Sequence, residues 1–246
     1  MGVEEGTGKG RCGGKVLTLR PSSPPDLSPF EVLNVPALSL IPVAKAEEIE
    51  KALKEADVVV FTSRTGVKII AKCCPEIFEK IKELEVYAIG PSTAEELKKY
   101  GIDSKVPNVF TSEGLASLLS DKKKIVAIRS DKASKTLREA LGDKLIEVIA
   151  YRTVRNYIPE AIQLIEKGEV EAVVISSAEI ARALIESAKK MGYDPKDLLK
   201  KTKVVVIGPE AAKPLMEENI EYYMASEASF EGVRRKLLEL LCIGSE

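Results

Sequence analysis

The chain has no histidine. That absence excludes histidine acid–base catalysis, nucleophile–histidine triads and most zinc sites. Chemistry here must run on tyrosine, carboxylates, lysine, arginine, hydroxyls and backbone groups. Cysteine is scarce: it occurs at 12, 73, 74 and 242, never in C-x-x-C spacing. Adjacent Cys73 and Cys74 cannot readily chelate one metal, so the expectation is small buried thiols in a reducing cytosol. A charge excess is missing too. Lys and Arg number 37 against 38 Asp and Glu, a net charge of −1, so no basic surplus points to nucleic acid. Apolar runs reach only four to six residues, whereas a membrane span needs about 20. The opening MGVEEGTGKGRCGG lacks the apolar centre of a secretory signal. Its acidic residues and lack of a basic patch also argue against myristoylation. Residues 1–14 are therefore expected to form a disordered tail on a cytoplasmic protein. Glutamine occurs once, while Lys and Glu abound, the balance favoured in heat-adapted proteins.

What is present is a repeat. VYAIGPSTAEELKKYGI (86–102) returns as VVVIGPEAAKPLMEENI (204–220). At an offset of 118 residues the match runs without gaps from Gly90–Leu119 to Gly208–Leu237. Gly90, Pro91, Ala94, Leu97, Ile102, Glu113, Gly114 and Leu119 all meet identical partners. Upstream, VVVFTSRTGVKII (58–70) lies on AVVISSAEIARAL (172–184), which sets Ser63 on Ser177, and KVLTLR (15–20) resembles KIVAIR (124–129). Two related halves account for this better than chance.

Each half alternates short Val/Ile runs with amphipathic helices, the pattern of a parallel sheet covered on both faces. Helices are predicted at 46–56, 132–141 and 159–167, the last two stopped by Gly142 and Gly168. LNVPALSLIPV (33–43) and LIEVIAYRTVRNYI (145–158) read as extended, and Pro36 and Pro42 argue against helix in the first. The expected fold class is α/β, with two doubly wound parallel-sheet domains of flavodoxin type. A two-stranded β linker, 34–44 with 148–156, joins them. One domain is discontinuous, 15–33 with 157–246. The other, 45–147, is inserted, and a cleft lies between the two.

A strand that turns sharply into a helix exposes backbone N–H groups at the positive end of the helix dipole, which attracts anions. Such corners gather at the carboxyl ends of the strands of an open sheet. They occur here at Thr62-Ser63-Arg64, with Thr65 following, at Gly90-Pro91-Ser92-Thr93, at Ser176-Ser177 and at Gly208-Pro209. Arg20 and Arg129-Ser130 follow the related strands. A lone Ser or Thr at a helix start is usually just a cap. Repetition in both halves points instead to a ligand with several negative groups. No glycine-rich nucleotide fingerprint follows a predicted strand.

The order FTSRTGV, AIGPSTAEEL, FTSEGLASLL, VIAYRTV, ISSAEIARAL and VIGPEAA resembles uroporphyrinogen-III synthase, over nearly everything from Lys15 to Leu241. The resemblance implies two α/β domains on a two-stranded ladder. It implies cyclisation of hydroxymethylbilane, a linear tetrapyrrole with an acetate and a propionate on each ring, with inversion of the last ring and loss of water. It implies no cofactor and no metal. The family's tyrosine falls on Tyr151, a proton donor toward the departing hydroxyl. Substrate contacts are expected from Arg20, Ser63, Arg64, Thr65, Ser92, Thr93, Arg129, Ser130, Ser176, Ser177, Gly208 and Pro209. A monomer acting on a small molecule is expected, without nucleic acid or membrane. The chain departs from the family at the second Gly-Pro corner, where Glu210 and Ala211 replace threonines and Pro214 should delay or kink the helix. PSSPPDLSPF (21–30) is also too rich in proline for the helix expected after Arg20. Two other readings fit the same composition: a two-lobed binding protein that clamps a polyanion without chemistry, and an interaction module with no ligand.

Overall fold

The computed structural model describes residues 12–242. Most of the tail expected at 1–14 lies outside the described residues. In chain order the elements are β1 (Lys15–Thr18), β2 (Glu31–Asn34), β3 (Leu38–Pro42), α1 (Ala46–Leu53), β4 (Val58–Phe61), α2 (Arg64–Cys73), α3 (Ile77–Ile81), β5 (Glu85–Ala88), α4 (Pro91–Lys98), α5 (Ser112–Leu118), β6 (Ile125–Ser130), α6 (Thr136–Leu141), β7 (Leu145–Arg155), α7 (Pro159–Glu166), β8 (Ala172–Ile175), α8 (Ala178–Lys190), α9 (Pro195–Leu199), β9 (Lys203–Val206), α10 (Pro209–Glu217), β10 (Tyr223–Met224) and α11 (Phe230–Leu241). They form two compact units. Unit 1 holds the chain up to Ser39 and from Val154 onward, and unit 2 holds Leu40–Thr153.

The chain is α/β, with one five-stranded sheet in the order β10-β9-β8-β1-β2 and another in the order β3-β7-β6-β4-β5. The pairs β1–β2, β1–β8, β8–β9 and β9–β10 are parallel, as are β4–β5, β4–β6 and β6–β7. Alternation along each strand explains why these runs are apolar throughout. In β8, Val173 and Ile175 enter one core and Ala172 and Val174 another. In β4, Val59 and Phe61 pack on one face and Val58 and Val60 on the other. Both faces of each sheet are thus covered by helices, and each fully buried Val, Leu or Ile side chain contributes roughly 1.5–3 kcal/mol.

The repeat is physical. Strands β5, β4 and β6 of unit 2 take the places of β9, β8 and β1 in unit 1. Even the short β10 has a counterpart. It pairs Tyr223 with Val205, and 118 residues earlier Lys105 bridges Tyr87 in parallel. The residues shared by the copies have structural reasons. Thr111 and Ser229 cap α5 and α11 by accepting from the N–H of Gly114 and of Gly232. A side chain at Gly114 would be driven into the carbonyl oxygen of Val109, and one at Gly232 into that of Glu227. The helix after each Gly-Pro corner ends on a left-handed residue, Gly101 (φ 74°) in one copy and Asn219 (φ 54°) in the other. Asn is the usual substitute for glycine there.

Some expectations shift. Helix α6 begins at Thr136 rather than 132. Ser130 Oγ accepts from the Lys132 N–H and Asp131 Oδ1 from the Thr153 N–H, so side-chain bonds hold a turn where the helix was expected. Helix α10 starts at Pro209 with Pro214 buried inside it, not late. The N–H that Pro214 lacks would have served only the Glu210 carbonyl in the first turn. The segment at 21–30 forms no helix. Strand β7 runs for 11 residues, the first part parallel to β6. Beyond that, Val43 N–H bonds to the Ala150 carbonyl and Asn156 N–H to the Ala37 carbonyl, an antiparallel arrangement.

The cysteine expectation fails in part. Cys12 and Cys242 form a disulfide with Cα atoms 4.5 Å apart and 230 residues between them in sequence. The two are neighbours because β1 lies inside the unit 1 sheet and α11 packs back onto it through Val233 and Leu237, with Cys242 directly after its last residue. Cys73 and Cys74 remain free. Burial pushes the Cys74 thiol up to about 12, which makes it inert as a nucleophile.

Candidate active site

In each sheet the chain order reverses once, between β4 and β6 in unit 2 and between β8 and β1 in unit 1. The crevice outside the carboxyl ends of the strands at such a reversal is the usual ligand position of open α/β sheets. Several predicted residues sit there. In unit 2, Ser63 follows β4, Ser130 ends β6, and Tyr151 stands opposite Ser130 on β7, just past an irregularity in the ladder at Arg129 and Ser130. In unit 1, Ser176 and Ser177 follow β8, and Arg20 lies just beyond β1.

The best-defined cluster is Tyr151 with Ser63. Tyr151 is 7% exposed and packs in the main core of unit 2. Its phenol oxygen is 3.2 Å from Ser63 Oγ. Ser63 is the N-cap of α2, and its Oγ accepts from the Gly66 N–H at 3.0 Å. A serine hydroxyl has one proton to donate. With the Gly66 amide on a lone pair, that proton can point at the Tyr151 oxygen. The phenol's own proton is then directed elsewhere, at the positive end of a helix dipole. A neutral phenol placed this way can give up its proton and have the resulting oxyanion stabilised by the Ser63 hydroxyl.

The four strand-to-helix corners fall into two kinds. Ser63 caps α2 and Ser177 caps α8, the latter by accepting from the Ile180 N–H at 3.3 Å. At Gly90 and Gly208, which start α4 and α10 with a proline in the first turn, no side chain caps the helix. The prolines have no N–H, and the Thr93 and Ala211 N–H groups bond back to the Gly90 and Gly208 carbonyls, so the first-turn amide each Gly-Pro corner leaves to solvent or to a ligand is that of Ser92 or Glu210. Around the first of them Ser92 is exposed, but Thr93 is 2% exposed, so its side chain belongs to the interior of unit 2. Around the second, Pro209 and Glu210 are exposed and Ala211 is buried. Glu210 pairs with Lys213 at 2.6 Å.

The arginines differ in how far they are committed. Arg129 is 2% exposed; its Nη1 donates to Glu147 and its Nη2 to the Ser134 carbonyl, both at 2.6 Å, while Nε has no partner. Glu147 also takes two bonds from Arg138, so Arg129 belongs to a structural ion network. Arg20 lies 4.5 Å over the Phe230 ring, and its Nη1 donates to the Ser23 carbonyl. Asn34 binds both the N–H and the carbonyl of Arg20. Arg64 is exposed in the first turn of α2, with Thr65 half-buried beside it. Sequence reasoning missed Glu147 and Asn34, because a partner many residues away leaves no local pattern. It also passed over Phe110, an exposed aromatic directly before the Thr111 cap. The aromatic followed by T-S-E-G was the only available signal.

Comparison with known proteins gives consistent results. Residues 28–234 match the family model described as Uroporphyrinogen-III synthase HemD. The chain is 31% identical over 186 residues to a putative uroporphyrinogen-III synthase of Methanothermobacter thermautotrophicus, covering 70% of this chain and 74% of that protein. It is 30% identical over 190 residues to a similarly named protein of Archaeoglobus fulgidus, covering 73% and 77%. Among solved structures, it resembles the uroporphyrinogen-III synthetase of Helicobacter pylori with a TM-score of 0.69 at 18% identity, covering 92% of this chain and 99% of the other. A mutant uroporphyrinogen III synthase of Thermus thermophilus gives 0.62 at 19%, covering 93% and 98%. At these identities the structural likeness speaks for the fold.

Proposed function

The chain belongs to the uroporphyrinogen-III synthase family, and from that premise we propose how its own residues perform the reaction. It is a cyclising hydro-lyase that closes hydroxymethylbilane to uroporphyrinogen III, inverting the last pyrrole ring and releasing water. In our reading Tyr151 donates its proton to the departing hydroxyl, which leaves as water. The ring that loses the hydroxyl becomes an azafulvene, the substituted carbon of the last ring adds to its methylene carbon, and the resulting spiro intermediate rearranges. The proton lost when the last ring regains aromaticity returns to the phenolate, so the step balances without a co-reactant. What carries Tyr151 is its 3.2 Å contact to Ser63 at the start of α2.

Unassisted closure gives the uninverted isomer, so most of the enzyme's work is holding the bilane in shape. Substrate carboxylates are assigned to the uncapped corners at Gly90 and Gly208-Pro209, with Ser92, Ser130, Ser176 and the first turns at Ser63-Arg64-Thr65 and Ser177 in support. Arg20 contributes through its position beyond β1, whereas Thr93, whose N–H bonds to the Gly90 carbonyl, and Arg129, bonded inside unit 2 to Glu147, are given no substrate contact. We place the enzyme in the cytoplasm as a monomer that needs no nucleic-acid partner. The balanced charge supports this, and the Cys12–Cys242 bond is compatible with that compartment in cells of the hyperthermophilic kind. Incubation with hydroxymethylbilane and chromatographic separation of the isomers tests the reading. The III isomer is expected; only the I isomer, formed at the spontaneous rate, would overturn it.

A further inference from the structure

Phe110 is 57% exposed, and its neighbour Val109 is 61% exposed. Large apolar side chains left this open together call for a reason. Position is the first clue. A methyl group placed on Gly90 would meet Phe110 Cβ at 3.4 Å and Cγ at 3.6 Å, so the side chain stands against the uncapped start of α4. Rigidity is the second. The Thr111 N–H bonds to the Val109 carbonyl at 2.8 Å, and Thr111 Oγ1 accepts from the Gly114 N–H at 3.2 Å. The backbone on either side of Phe110 is thereby held.

Unit 1 supplies the control. Ser229 N–H bonds to the Glu227 carbonyl at 2.8 Å, and Ser229 Oγ accepts from the Gly232 N–H at 3.0 Å. This is the same turn, built 118 residues later. The residue between is Ala228, whose Cβ lies 3.7 Å from a methyl placed on Gly208. The turn forms with alanine at this position, so the phenyl ring of Phe110 is not there to make the fold. The corner beside Phe110 also keeps a hydroxyl in Ser92, while the corner beside Ala228 has Glu210 and Ala211.

We propose that Phe110 is a substrate-positioning residue: its ring takes the face of one pyrrole of the bilane while a carboxylate on that pyrrole reaches the Ser92 amide and hydroxyl at the start of α4. The inference rests on the synthase reading and deepens it by assigning one pyrrole subsite to unit 2. The substrate is a row of flat rings bearing acids, and an exposed aromatic beside a free helix start matches both parts. An aromatic pair contributes roughly 0.5–1.5 kcal/mol, equivalent to about 2–12-fold in binding.

The test compares wild type, Phe110→Ala and Phe110→Tyr in two measurements: cyclisation of hydroxymethylbilane, and binding of uroporphyrin III by fluorescence. Phe110→Ala should raise both KM and the uroporphyrin Kd about 5–10-fold while kcat stays within about twofold, and Phe110→Tyr should restore both. Melting temperature should not move, because an exposed ring contributes little to stability. An alanine variant with wild-type KM and Kd would overturn the inference. So would one whose only change is in oligomeric state by light scattering, since the ring would then cover a second copy. A wild-type chain that fails to cyclise the bilane would count against the synthase reading, and the uroporphyrin Kd of the alanine variant would still judge Phe110.

Discussion

The two Gly-Pro corners are copies of one construction, and the side chains around that shared backbone have diverged. Both have an extended glycine, a first-turn proline and no side-chain cap. Both are followed by a left-handed residue at the helix end and a Ser/Thr-capped turn that requires glycine three residues on. Backbone geometry was kept because it is what the sheet and helix need. Ser92 faces Glu210 across the alignment, and Phe110 faces Ala228. The tyrosine bonded to the first capped helix belongs to unit 2, as does that helix. The scaffold is present twice, and in the proposed mechanism the proton donor belongs to one copy.

The largest expected effect sharpens that asymmetry at its centre. Tyr151→Phe should lower turnover by roughly 10²–10⁴-fold, the range of positioned proton transfer. Uroporphyrin binding and melting temperature should hardly change, and the product should shift toward the I isomer. Full turnover with pure III isomer would remove Tyr151 from the chemistry and leave closure to positioning alone.

The next effect separates the units by stability. Only unit 1 carries the Cys12–Cys242 tie. Its reduction, or Cys12→Ser, should destabilise unit 1 by about 2–4 kcal/mol. Hydrogen exchange should quicken in β1, β8 and α11 and not in β4 or β6. Uniform loosening of both units would show that they unfold as one. Gly114→Ala and Gly232→Ala test the shared part, because each puts a Cβ into a backbone carbonyl. Each should cost about 1–3 kcal/mol, as for other overpacked sites. The two losses should be similar, since the turns are the same.

Smaller still is the pair Ser63→Ala and Ser177→Ala. Each removes an N-cap worth about 1 kcal/mol, so calorimetry should find matched losses. Turnover should fall with the first and much less with the second, because Ser63 alone also holds Tyr151. Equal losses of turnover would break the comparison.

The smallest effect is on acid stability. Hydrogen bonds from Lys105, and then from Lys122 and Tyr87, hold the Glu85 carboxyl at about 2, below its ordinary 4.5. A depressed carboxylate stabilises the fold above its unfolded pKa and loses that contribution as pH falls through the folded one. The contribution of Glu85 should therefore fade between about pH 4.5 and 2. The matching position in unit 1 is Lys203. Glu85→Gln should flatten the acid response of unit 2 in that window and leave unit 1 as it was.

Much of this was determined by the sequence alone. Short Val/Ile runs fixed parallel strands buried on both faces. The offset of 118 residues fixed two related halves, and Gly101, Gly114 and the Gly-Pro pairs fixed where helices start and stop. These are local matters, set by side-chain alternation, by φ and by the space beside a backbone oxygen. Tertiary structure decided what depends on distance in space. It joined Cys12 to Cys242, turned Arg129 inward to Glu147 and buried Thr93 while leaving Ser92 outside. It brought the phenol of Tyr151 to Ser63, 88 residues earlier in the chain. The physical reason is that a parallel sheet places side by side the carboxyl ends of strands that helices separate in sequence. A hydroxyl at one strand end therefore meets its partner only after the whole unit has folded.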